Sequence, residues 1–182
     1  PLNETLGELI ERISAKFPDN EALVYPDQNI RLTYKEFNAE VDKIAKSLLA
    51  MDIKKDDHVA IWSTNVPQWP ILMFALAKVG AVLVTVNTNY RSHELEYLLK
   101  QSDCKAIFLI DHFKTSEYFN WLKKVLNDAK WPGKGIVESE KLPMLKNVIM
   151  FDHETTDQAL GYNDFSKMGA HVSDEELNRI KE

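Results

Sequence analysis

The 182 residues are 45% hydrophobic and 27% charged, inside the ordinary globular range and enough to bury one good core. Twenty-eight acidic against 22 basic side chains leave a formal net charge of −6, which argues against nucleic-acid binding, where affinity comes from Lys and Arg held against phosphates. The single cysteine, Cys104, has no partner for an internal disulfide. No run reaches the roughly 18 apolar residues of a membrane span, and Glu4, Glu8 and Glu11 break any signal-peptide pattern. The expectation is a cytoplasmic protein that is not transmembrane.

In chain order, Leu6, Leu9, Ile10, Ile13 and Phe17 form the apolar stripe of an amphipathic helix, with Thr5 and Glu8 as its capping box. Pro18-Asp19-Asn20 ends it. Ala22 to Tyr25 and Ile30 to Leu32 flank the turn residues Pro26-Asp27-Gln28-Asn29, which predicts a small hairpin. A second capping box, Thr33 with Glu36, opens a helix in which Tyr34, Phe37, Val41, Ile44, Ala45, Leu48 and Leu49 keep helical spacing.

Beyond it the pattern changes to short continuous apolar runs, 59–62, 81–86, 106–110 and 148–151, rich in Val and Ile and suited to strands buried on both faces. Helical stretches lie between them, at Pro67 to Val79, Ser92 to Ser102 and Glu117 to Trp131. Alternating strands and helices predict an α/β fold with an open, mainly parallel sheet flanked by helices. Residues 69–77 are apolar on every side, so that helix is central or covered by a partner. Trp62, Trp69 and Trp121 fit core packing. Pro132 to Pro143, with Gly133 and Gly135, predicts a surface loop. A last capping box, Ser173 with Glu176, starts a helix expected to run to Glu182. Residues 1–182 are expected to form a single α/β subdomain.

Chemistry-bearing motifs are scarce. Neither Gly-x-x-x-x-Gly-Lys-Ser/Thr nor Gly-x-Gly-x-x-Gly occurs, and Gly133-Lys134-Gly135 follows a helix instead of opening one. The five histidines lack metal-ligand spacing. Asp111-His112 and Asp152-His153-Glu154 follow strand runs, where polar residues are expected as the chain leaves a sheet, and no nucleophile motif accompanies them. Topology is more informative, because open α/β sheets bind ligands outside the carboxyl ends of their strands. That rule nominates 63–65, Asn87-Thr88-Asn89-Tyr90, 111–113 and 152–154. The second joins amide and hydroxyl groups to an aromatic ring at a helix start, which suits an anionic or nucleotide-like ligand. Residue type alone also fits, and favours, a plain turn and cap.

The ordered set Leu32-Thr33-Tyr34-Lys35-Glu36-Phe37, Asp57-His58-Val59-Ala60-Ile61, Asn65-Val66-Pro67-Gln68-Trp69, Phe74 to Val82, Asn87 to Tyr90 and Glu94-Leu95 resembles the adenylate-forming, AMP-binding superfamily of acyl-CoA synthetases, luciferases and peptide-synthetase adenylation domains. Phe17 to Leu23 fits as well. Asp52 and Asp56 stand where that family usually has glycine, at positions that tolerate Asp. The resemblance implies an N-terminal part of a fatty-acid or other acyl-CoA synthetase, truncated within a larger AMP-binding domain. Such enzymes join a carboxylic acid to coenzyme A with ATP and Mg, releasing AMP and pyrophosphate. The family's phosphate loop, later acidic and adenine-binding motifs and C-terminal lysine are missing, so no catalytic or metal-binding residue is assigned. By the same resemblance Asn87, Thr88, Asn89 and Tyr90 are cofactor-binding residues beside the coenzyme A nucleotide. The chain alone is expected to be inactive, with no cofactor bound, to pair with the remainder of its own chain, and to self-associate through an apolar patch. A stand-alone module binding coenzyme A or an acyl carrier, a luciferase-like enzyme and a peptide-synthetase domain are the alternatives.

Overall fold

Residues 4–180 are described by a computed structural model, in which the chain divides into two compact units. The first comprises the chain up to Lys55, Val66–Ala81 and the chain from Lys167 onward. Helix α1, Leu6–Lys16, opens on the expected capping box: the Glu8 amide donates to Thr5 Oγ1 at 3.2 Å and the Thr5 amide to Glu8 Oε2 at 2.7 Å. Its buried face is Gly7, Ile10 and Ser14, whereas Leu6 and Phe17, the ends of the predicted stripe, are exposed. Strands β1, Glu21–Tyr25, and β2, Ile30–Thr33, form the expected antiparallel hairpin around a 3-10 turn at Pro26–Gln28, with Asn29 in the left-handed region.

Helix α2, Tyr34–Ala50, is closed at its start by Thr33 and Glu36 and buries Phe37, Val41, Ile44, Ala45 and Leu48. It packs on α1 and on α3, Gln68–Lys78, where Phe74 meets the Phe37 ring edge-on at 5.8 Å. No residue of α3 is exposed, as its all-round apolarity predicts. The exception to that apolarity is Lys78, whose side chain is 0% exposed. Its ammonium lies 2.6 Å from Asp42 and 3.0 Å from Glu11, and donates to Asn38 Oδ1 at 2.9 Å. One cation therefore ties the three helices together, since burying it is tolerable only while its partners stay in place.

Asp52, at φ 62°, takes the left-handed position that ends α2, and the Ile53 amide returns to the Leu48 carbonyl. Later, Gly169 lies flat on α2, its amide donating to the buried Ser47 hydroxyl at 3.2 Å. A Cβ there would sit 2.5 Å from the Lys46 and Ser47 backbone, so only glycine fits. Helix α7, Asp174–Ile180, buries Leu177. Its expected continuation to Glu182 lies outside the described residues.

The second unit, Asp56–Asn65 and Val82–Ser166, holds the central sheet. Strands β3, His58–Trp62, β4, Val82–Thr85, β5, Ala106–Leu109, and β8, Asn147–Met150, run parallel, with β3 between β4 and β5, and β8 beyond β5. The sheet continues antiparallel through β7, Ile136–Glu138, to β6, Lys130–Gly133, and a short β9, Leu160–Gly161, pairs parallel with β8. Helix α4, Ser92–Gln101, follows β4, and α5, Tyr118–Val125, follows β5 and packs on α4. A four-residue helix α6, Tyr162–Phe165, follows β9. The architecture is α/β with a mostly parallel sheet and a separate two-stranded hairpin, as expected.

Three expectations are corrected. The helix predicted to reach Trp131 ends at Val125, and the predicted loop holds β7 and the second half of β6, whose first half lies where the helix was expected. The Asp128 carboxylate accepts from Ser139, Glu140 and Lys141, which folds the chain back. Lys134 and Gly135, at φ 51° and 73°, then make a two-residue hairpin turn. Pro132 is tolerated because β6 is an edge strand. The run 81–86 is not buried on both faces either: among the described residues β4 pairs only with β3, leaving Val82 and Thr85 exposed.

Candidate functional site

Because β3, β4, β5 and β8 are parallel, the four loops nominated from topology all leave the same end of the sheet. Cross-links between them are specific. At the carboxyl end of β4 the Asn87 carbonyl accepts from the Trp62 indole Nε1 at 3.2 Å and from the Tyr90 amide at 3.0 Å. The Asn87 side-chain oxygen accepts from the Asn89 amide at 2.9 Å, so this asparagine builds the turn as well as standing in it. The Thr88 carbonyl accepts from the Tyr118 hydroxyl at 3.0 Å. Asn87 and Asn89 are exposed, Thr88 and Tyr90 half-buried.

Trp62 and Tyr118 are both buried, their ring centroids 4.5 Å apart, and Trp121 joins them at 6.2 Å from Trp62. Burial pushes the Tyr118 phenol above its ordinary value, partly offset by Ser116, so it stays a donor through the neutral range. The Arg91 guanidinium lies 5.9 Å from the Trp121 ring centre, a cation held beside the loop. The Arg91 amide donates to Glu94 Oε2 at 3.1 Å, and the amides of Glu94 and Arg91 hold the Glu94 carboxyl below its ordinary range. Tyr90 also lines a groove of ≈ 510 Å³ with Val84, His93, Tyr97, Leu98 and Gln101.

At the ends of β5 and β8 the two Asp-His pairs come together. The Asp111 amide donates to both Asp152 carboxylate oxygens at 3.1 Å, and the His153 Nε2 lies 3.8 Å from Asp111 Oδ2. His112, Asp152, His153 and Glu154 are exposed. The contacts close a loop junction, in line with the plain reading of these residues. Among the described residues no group of three or more His, Cys, Asp or Glu is placed to hold a metal ion, and no helix is long and apolar enough to cross a membrane.

The residues that organise the loop do not stand out in the sequence as site residues. Apolar patterning places Trp62 in the core, which is correct for its ring, and Tyr118 merges with a helix. The available signal is chemical: a buried indole N–H and a buried phenol each need an acceptor. Cys104 is buried, and burial pushes its thiol up.

Comparison with known proteins places the chain in a family. The chain is 40% identical to YngI of Bacillus subtilis over 176 residues, 97% of this chain and 32% of that protein. It is also 40% identical to the medium-chain acyl-CoA ligase ACSF2, mitochondrial, of Mus musculus over 151 residues, 83% of this chain and 25% of the relative. The chain thus spans a third or less of these relatives. In fold it resembles the crystal structure of the anthranilate CoA ligase AuaEII in complex with anthranoyl-AMP, with a TM-score of 0.75 and 19% identity over 92% of this chain and 28% of that one. The AMP-binding enzyme family matches residues 10–176, nearly the whole sequence, and the chain is a member of that family.

Proposed function

We propose that these residues are the N-terminal part of an AMP-forming acyl-CoA synthetase acting on a fatty acid. The observation that carries the proposal is the 40% identity to a medium-chain acyl-CoA ligase across 83% of the chain. In the first step the carboxylate attacks the α-phosphate of ATP, giving acyl-adenylate and pyrophosphate. In the second the thiol of coenzyme A displaces AMP and the thioester forms.

The described residues fit these groups unequally. No glycine-rich phosphate loop is present, so nothing in this chain is assigned to ATP or Mg. Thr88, Asn89 and Tyr90 present hydroxyl, amide and phenol groups, and Arg91 adds a cation, a donor set that suits the phosphorylated nucleotide of coenzyme A. Bound coenzyme A would supply the thiol of the second step, and the loop's part is to bind and orient its nucleotide end. The isolated 182 residues lack the catalytic motifs and make no acyl-CoA. Assaying them with fatty acid, ATP and coenzyme A, beside the product of the complete reading frame, tests this. Thioester formed by these residues alone, or none from the complete product, refutes it.

Self-association of the isolated chain belongs to the same reading. It is supported by the uncharged edge strand β4 and the exposed Val82 and Tyr97. Light scattering that finds a monomer across a concentration series counts against it.

A further inference from the structure

We infer that Trp62 and Tyr118 are positioning residues for the Asn87–Tyr90 loop: two ring-borne donors grip the Asn87 and Thr88 carbonyls and set where the loop meets its ligand. The inference rests on the reading of that loop as part of the coenzyme A site.

The two donors come from different elements. Trp62 ends β3, in the middle of the parallel strands, and Tyr118 begins α5, which follows β5. The loop after β4 is therefore fastened from two directions, at 3.2 Å and 3.0 Å, to groups that are themselves fixed. Trp62 is 0% and Tyr118 1% exposed, and the rings lie 4.5 Å apart, so neither donor can swing away without unpacking the other. Successive carbonyls are held, which orients the two adjacent peptide planes that carry them. The Asn89 and Tyr90 amides are then tied back to Asn87. Of the loop's side chains, Asn87 and Asn89 are exposed, Thr88 is half-buried, and the half-buried Tyr90 lines the neighbouring groove. A loop held in this way keeps its donors in one geometry and spares a ligand the ordering cost.

Loss of the hydroxyl without loss of the ring is the direct test. In the synthetase that contains this chain, Tyr118→Phe is expected to speed hydrogen exchange at the Asn89 and Tyr90 amides about tenfold. The amides of Ala106–Leu109 should keep their wild-type rates. The KM for coenzyme A should rise several-fold, with ATP–pyrophosphate exchange, which needs no coenzyme A, unchanged. Trp62→Phe should act in the same direction. Unchanged loop exchange overturns the inference, as does an equal acceleration in β5, which would make Tyr118 a general stability residue. A faster loop with an unchanged KM for coenzyme A also overturns it. If Asn89→Ala and Tyr90→Ala then leave that KM unchanged too, the failure lies with the coenzyme A reading.

Discussion

In the unit built on α1, α2 and α3, a fully buried ammonium is neutralised by two carboxylates, whereas at the strand ends of the sheet unit two buried polar groups are neutral ring donors bound to backbone carbonyls. Both devices satisfy polar atoms out of reach of water. They differ in the consequence of losing a partner. A stranded charge in a dry interior is expensive for the whole unit. A lost neutral donor costs about one hydrogen bond and loosens one loop. Charge pairing thus stiffens the helical unit, and neutral donors give the sheet unit local control of the loop after β4.

The largest effect should come from stranding the charge. Glu11→Ala together with Asp42→Ala leaves Lys78 without its carboxylates and should cost roughly 3–5 kcal/mol in chemical denaturation. Lys78→Met should cost less, because the Glu11 and Asp42 side chains are 37% and 33% exposed and can hydrate. A Lys78→Met variant that is the less stable of the two would break the comparison. Gly169→Ala forces a methyl to 2.5 Å from the backbone of α2 and should cost about 1–3 kcal/mol, read as a lowered Tm.

The response to pH sharpens the contrast. The Thr33 amide and hydroxyl hold Glu36 low, the Glu94 and Arg91 amides hold Glu94 low, and Arg12 holds Glu4 low, each from an ordinary value of 4.5. Their contributions are present above that value and are lost as pH falls through the depressed values. Cys104 and Tyr118 are raised, chiefly by burial, from 9.0 and 10.0, so their contributions are present below those values and are lost as pH rises. A melting series should show a plateau between the two flanks. Cys104→Ala should remove the earlier part of the alkaline loss, and an unchanged alkaline flank would contradict the assignment. The smallest effect is a gain. Asp52→Gly relieves a left-handed aspartate at φ 62° and should add up to ~1 kcal/mol, since its ion pair with Lys54 is exposed and weak.

Much of the fold is legible in the sequence because its signals are local. The capping boxes of Thr5 with Glu8 and Thr33 with Glu36 act over three residues and appear where expected. The runs in β3, β5 and β8 are buried throughout or nearly so, which is why continuous apolarity identifies them. The β6–β7 hairpin is hidden because its turn depends on Lys134 in a conformation that residue type does not announce, and its fold-back on Asp128 reaching residues 139–141. The open edge of β4 is hidden because composition cannot say which strand is last. At the candidate site, strand polarity finds the loop but not its anchors. Trp62 reaches Asn87 across 25 residues and Tyr118 reaches Thr88 across 30, and no local pattern records those pairings.

The central claim, that this chain carries the coenzyme A-facing loop of an AMP-forming acyl-CoA synthetase, is tested most directly by measuring two half-reactions side by side in the product of the complete reading frame, with and without Asn89→Ala and Tyr90→Ala. The expected result is fatty-acid-dependent ATP–pyrophosphate exchange that the variants leave intact, with thioester formation demanding several-fold more coenzyme A. Absence of exchange in the unaltered protein would contradict its assignment as a synthetase, and variants whose demand for coenzyme A matches that of the unaltered protein would contradict the coenzyme A role of the loop.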